Sequence, residues 1–205
     1  ASRHGVDPLR LYLVKEIVFG GDGDFSWERF DERYNTDLAN NLGNLVSRVT
    51  AMAHQYRHGR LTPAGETSRR LSDSADEVIT AYQQAMDRLA VNEAVALVFR
   101  LIDATNLHIA ETTPWFLAKD PSKADSLAQV LFDAAEAIRI VAVLLSPIMP
   151  GSSAEILRRI GAANDRLRLD RDGVWRPSGE RILVQDGPLW PRFDNRKVRE
   201  NIVVD

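Results

Sequence analysis

Residues 35–50 read Asn-Thr-Asp-Leu-Ala-Asn-Asn-Leu-Gly-Asn-Leu-Val-Ser-Arg-Val-Thr, and they carry two unlike faces. At about 100° per residue, Leu38, Leu42, Leu45, Val46, Val49 and Met52 share one stripe of an α-helix, the pattern of a helix packed against other helices. Asn44 and Arg48 are one turn apart and project from nearly the opposite side. Asn is a poor interior helix residue because its amide competes for backbone partners, yet it stands at 35, 40, 41 and 44. Two readings follow: a solvated face that happens to be Asn-rich, or a face whose amides and guanidinium read base edges.

Composition bounds the choice. The chain has 205 residues, 44% of them hydrophobic, enough for a real core and for one domain or one domain with an appendage. A net charge of −3 argues against a broadly basic nucleic-acid binder, so any RNA contact must be local. With no Cys, disulfides and thiolate metal sites are excluded, and a reducing interior is compatible. No N-terminal signal pattern is present, and Arg139 and Ser146 interrupt the apolar run Ile138–Ile148, which is too short for a membrane span. The expectation is a soluble, cytoplasmic protein.

Taken in order, Asp7 as N-cap with Pro8 behind it predicts a helix over 8–17 that buries Leu9, Leu11, Tyr12, Leu13 and Ile17. Gly20, Gly21 and Gly23 force a loop. Read as a calcium loop, Asp22, Asp24 and Ser26 take the first alternating ligand positions, but Arg33 stands where a bidentate Glu is required. Ser26 caps a short helix through Tyr34, and Asn35 or Thr36 caps the long helix, which runs to about Arg57. His54 and His58 have metal-ligand spacing without a third ligand, so no metal site is expected. Ser74 and Glu77 form a capping box opening a helix with Val78, Ile79, Tyr82, Met86 and Leu89 buried. Asn92 caps the next, with Val95, Val98, Phe99, Ile102 and Ile109 aligned; Asn106 on that stripe is either a satisfied buried amide or a sign that the stripe changes face. Periodicity is lost at Thr112-Thr113-Pro114-Trp115. Asp120-Pro121 starts the most apolar helix, from Leu127 to Leu145, which should be the most buried element. Pro147 and Pro150 end it, Ser152 with Glu155 opens a short helix, and Gly161 closes that one. Residues 162–205 hold a candidate hairpin around Val174-Trp175, the Pro177-Ser178-Gly179 turn and Ile182–Val184. An extended tail follows through Pro188 and Pro191, which must lie on something or stay mobile.

The fold class is therefore all-α, a bundle of about five main helices with a small appendage at each end. No phosphate-binding Gly-rich loop follows a strand. Ser47, Ser122 and Ser152 sit in or at the start of helices rather than on a strained nucleophile turn. A binding module fits better than a catalyst. Trp115, directly after Pro114, is either a plug between helices or a stacking platform for an unpaired base. If 112–120 folds back beside the open face of helix 35–57, the platform and the amide face converge.

Longer landmarks add a resemblance. Gly5-Val6-Asp7-Pro8-Leu9-Arg10-Leu11-Tyr12-Leu13, Asp22-Gly23-Asp24-Phe25-Ser26, Arg33-Tyr34-Asn35, Leu42-Gly43-Asn44-Leu45 with Ser47-Arg48, Pro114-Trp115, Leu144–Pro150 and Pro188-Leu189-Trp190-Pro191-Arg192 occur in this order. The chain so resembles bacterial-type methionyl-tRNA synthetases downstream of their KMSKS loop. The family's D-A-L-R element reads Asp7-Pro8-Leu9-Arg10 here. His108, where the family often has Tyr, and Gly21, where Gln is frequent, touch no reader position. The resemblance implies that 1–33 end the stem-contact region, 34–161 form the antiparallel helical anticodon-binding domain of a class I synthetase, and 162–205 are a C-terminal extension. It implies that Asn44, Arg48, Pro114 and Trp115 read the CAU anticodon of methionine tRNAs, initiator and elongator. It also implies that the parent enzyme is a methionine-tRNA ligase using ATP with magnesium in a catalytic domain. That domain is the other expected partner, with no DNA or membrane involved. Neither the HIGH nor the KMSKS signature occurs, so this segment is expected to be non-catalytic and to hold no cofactor or metal of its own. The alternatives are a related class I synthetase, such as that for cysteine, leucine or isoleucine, or a free-standing RNA-binding or protein-interaction domain derived from a synthetase.

Overall fold

The computed structural model describes residues 3–17, 24–164 and 166–194. Its elements are α1 (Val6–Glu16), α2 (Trp27–Arg33), a π-helical segment (Tyr34–Leu42), α3 (Gly43–Arg57), β1 (Arg60–Leu61), α4 (Arg69–Asp87), α5 (Val91–Thr112), α6 (Pro114–Leu117), a 3₁₀ turn (Pro121–Lys123), α7 (Ala124–Leu145), α8 (Pro150–Arg159), α9 (Leu169–Asp172) and β2 (Arg181–Ile182). The axis of the bundle is α7, where every residue from 131 to 145 is buried. A helix apolar on all sides can lie only in a core, and α3, α4, α5 and α8 surround it.

Side-chain pairs fix the helix directions. Arg70 meets Glu111 and Arg88 meets Glu93, joining start to end, so α4 and α5 are antiparallel. Asp133 accepts from the Ser68 amide and Tyr82 donates to the Leu144 carbonyl, so α7 runs parallel to α4 and against α5.

Several helix starts differ from the sequence expectation. The α4 helix begins about one and a half turns before Ser74, with Ser68 accepting from the Leu71 amide, because Leu71 and Ala75 have core to bury against. Asn92 lies inside α5, whose N-cap is Ala90. Asn35 and Thr36 cap nothing: backbone from Trp27 to Arg57 stays helical throughout. Asp7 and Ser152 miss as caps of their own helices for one shared reason. Asp7 Oδ2 accepts from the Ser152 amide at 2.6 Å, so the carboxylate of α1 caps α8. Arg10 completes the joint by donating to the Ile148 and Pro147 carbonyls. The Asp120 expectation holds, its carboxylate accepting from the Ser122 amide.

The candidate hairpin within 162–205 does not form. Instead β2 pairs antiparallel with distant β1, Arg60 opposite Ile182 and Leu61 opposite Arg181. Gly161, at φ 68°, lets that strand approach so closely that a Cβ there would lie 2.5 Å from the Ile182 carbonyl oxygen. The carbonyl of Val174 is taken by Arg139 and the amide of Arg176 by Glu136, which leaves neither free for a ladder. The tail lies on the π-helical segment. The Tyr34 hydroxyl donates to the Pro191 carbonyl, Asn35 bonds both backbone groups of Phe193, and Trp190 is buried over Gly43. His54 donates to the Leu183 carbonyl rather than facing His58. The Gly20–Gly23 part of the calcium reading lies outside the described residues. Among those described, no helix is long and apolar enough to cross a membrane.

Candidate nucleic-acid interface

Helix α3 supplies the floor. Leu42, Leu45, Val46 and Val49 are fully buried, and about 100° per residue puts Asn44 almost directly opposite them. Asn44 is exposed and Arg48 half-buried. Among the described residues, neither side chain makes a hydrogen bond or ion pair. An amide and a guanidinium left without partners on one open face are available to a ligand.

The π-helical segment that leads into this floor is joined to α5 by side chains. Lys15 bonds Asp37 at 2.8 Å and lies 4.0 Å from the Phe99 ring centroid, and one turn on Asn41 bonds both Asp103 and Asn106. Contacts therefore advance in step, and the π-helical segment leading into α3 runs parallel to α5. The same bonds settle Asn106 as a satisfied amide. Helix α5 ends at Thr112, and Thr113 turns the chain in the left-handed region, φ 44°, into Pro114 at the first position of α6. Pro114 is buried, while Trp115 is 37% exposed and Phe116 beside it 59%. The Trp115 ring is thus not a plug sealed between helices. No hydrogen bond links Trp115 to Asn44 or Arg48 among the described residues.

One flank of the floor was not foreseen. A groove of about 470 Å³ runs along α3, lined there by Asn44 and Ser47 and on its far side by Gln185, Gly187, Pro188 and Arg192. The far wall is the C-terminal strap, residues 183–194, which lies more than 130 positions from Asn44 along the chain. Its only local signal is the pair Pro188 and Pro191, which marks extended backbone but not what the backbone lies on.

Comparison with known proteins bears on this arrangement. Residues 1–50 match the family model described as tRNA synthetases class I (M), and residues 60–184 match the one described as the anticodon binding domain of methionyl tRNA ligase. The methionine–tRNA ligase of Bacillus subtilis (strain 168) is 37% identical over 198 residues, which cover 94% of this chain and 30% of that protein. That of Listeria monocytogenes serovar 1/2a is 38% identical over 202 residues, again 94% of this chain and 30% of the relative. The chain thus spans about a third of the length of these relatives. Among solved structures, apo Mycobacterium tuberculosis methionyl-tRNA synthetase superposes with a TM-score of 0.86 at 30% identity, covering 95% of this chain and 40% of that one. The same enzyme bound by methionyl-adenylate gives 0.86 at 31% identity, covering 93% and 39%.

Proposed function

We propose, since this chain belongs to the methionyl-tRNA ligase family and carries that family's anticodon-binding domain, that the open face of α3 and the ring of Trp115 together read the CAU anticodon of methionine tRNAs, initiator and elongator. The observation that carries the reading is that Asn44 and Arg48 have no partner among the described residues, while a partly exposed indole stands just beyond the end of α5, the helix bonded by Asn41 of the segment leading into α3. The Asn41 to Asn106 bond ties α5, which ends three residues before Trp115, to the segment that feeds the α3 face. In this mechanism Trp115 stacks on a splayed base, held by buried Pro114. Asn44 hydrogen-bonds a base edge, and Arg48 uses its planar fork on a base or phosphate.

Base–aromatic stacking is worth about 1–3 kcal/mol per base, so Trp115→Ala should weaken binding of a CAU anticodon stem-loop by roughly 5–150-fold, with Arg48→Ala also weaker. Titration of fluorescent stem-loops carrying CAU or an altered anticodon is the check. Parent-like binding by both variants would reject the site. Equal binding of the two stem-loops would support a non-specific RNA-binding or interaction domain instead.

In the whole ligase, this module would present tRNA to a catalytic domain that attaches methionine with ATP and magnesium in the cytoplasm. Among the described residues no three His, Cys, Asp or Glu side chains group to hold a metal ion, and the one sheet is a two-residue ladder with no phosphate loop.

A further inference from the structure

The groove beside Asn44 has a wall from the opposite end of the chain, and the charges on it are uneven. Asp186 on that wall is paired with Arg158 of α8. Arg192 is exposed and, among the described residues, its side chain has neither a hydrogen bond nor an ion pair. Its backbone, by contrast, is fixed on both sides. The Pro191 carbonyl accepts from the Tyr34 hydroxyl at 3.0 Å. The Phe193 amide donates to Asn35 Oδ1 at 2.9 Å, and its carbonyl accepts from Asn35 Nδ2 at 2.8 Å. One helical turn thus clamps both neighbours of a free guanidinium that lines the same groove as Asn44 and Ser47.

We propose that the C-terminal strap is the second wall of the RNA-binding cleft and that Arg192 holds a backbone phosphate of the nucleotide strand whose base Asn44 meets. This rests on the anticodon-reading proposal and extends it to a residue outside the helical bundle. Four features favour phosphate as the ligand. Among the described residues, Arg192 is the one charge on the groove lining without a partner. The chain as a whole carries −3, and Arg192, like Arg48 of α3, is a cation without an internal partner among the described residues. Guanidinium presents a planar fork that matches phosphate oxygens. A pinned backbone leaves only side-chain freedom to be lost on binding.

The test is a titration of a CAU anticodon stem-loop RNA against the chain at several salt concentrations, with Arg192→Ala, Arg192→Lys and Trp115→Ala. Arg192→Ala should weaken binding on the order of tenfold at low salt. It should also make the slope of log affinity against log salt shallower by about 0.7–0.9, one phosphate contact. Arg192→Lys should keep the parent slope because it keeps the charge. Trp115→Ala should lose affinity at the parent slope. Thermal midpoints of both Arg192 variants should match the parent, since the side chain makes no bond among the described residues. Parent-like affinity and slope for Arg192→Ala beside a weakened Trp115→Ala would overturn the role of the strap and leave the anticodon reading standing. Parent-like binding by both variants would overturn the two together.

Discussion

Gly43 shows how one residue can be required by distant neighbours. Its φ is −64°, ordinary for a helix, so backbone freedom is not the reason for glycine. Close approach is: a Cβ would lie 2.7 Å from the Leu38 carbonyl oxygen, pulled in by the π-helical turn, and 3.0 Å from the Trp190 ring. In an exposed helix, Gly to Ala stabilises by about 1 kcal/mol. Here Gly43→Ala should do the reverse, costing roughly 1–3 kcal/mol through overpacking, read as a lower urea midpoint at unchanged slope. Asp7 teaches the same lesson at a helix end. The sequence marks it as a cap, and it is one, but of the helix that starts at Pro150. Asp7→Ala should cost about 0.5–2 kcal/mol, the range for a lost N-cap.

At the scale of elements, α7 is more than an apolar post. Gln129, Asp133 and Glu136, spaced i, i+4, i+7, form a buried polar stripe. Gln129 accepts the amides of Ala64 and Gly65, Asp133 that of Ser68, and Glu136 that of Arg176. The helix thereby satisfies loops that have no ladder of their own. Glu136 also pairs with Arg139 and Arg181, both buried. Glu136→Leu should cost about 3–5 kcal/mol because two guanidiniums are left buried without a counter-charge, whereas Glu136→Gln, which keeps acceptors, should cost less; denaturation of the two variants checks the order. Helix α4 joins α7 through the Tyr82 hydroxyl, which donates to Leu144 at 2.8 Å. Burial pushes this phenol up to about 12 from an ordinary 10.0. The unfolded chain therefore loses its proton first, and the stability is complete below pH 10 and falls as pH rises toward 12. Tyr82→Phe should flatten that alkaline decline while costing about 0.5–1.5 kcal/mol at neutral pH.

Across the whole molecule, the strap turns an open helix face into a cleft. It is held at one end by Leu183 and Val184, whose amides donate to the Gly59 and Arg159 carbonyls, and at the other by Asn35. Asn35→Ala should release the far end, measured as faster hydrogen exchange at the Phe193 amide with little change in the core of α7. The strap also carries Phe193 to Arg3 and His4, beside Tyr34 and Asp31. The two ends of the described chain thus meet beside Tyr34, on the π-helical segment that leads into the α3 floor of the cleft.

Residue order by itself determined the helices and the two faces of the long one, because a 3.6-residue period of Leu and Val is a local property that burial then obeys. It also marked Asn44 and Arg48 as out of place on a solvated face. It could not say whether Trp115 plugs a gap or stands open, since a Pro-Trp step suits both and only the left-handed turn at Thr113 aims the ring. Nor could it reveal that Asp7 caps a helix starting at 150, that β2 seeks β1, or that Arg192 shares a groove with Asn44. Those depend on hydrogen bonds and close packing between positions more than a hundred residues apart, where no periodicity connects the partners and only the folded chain brings their atoms within bonding distance.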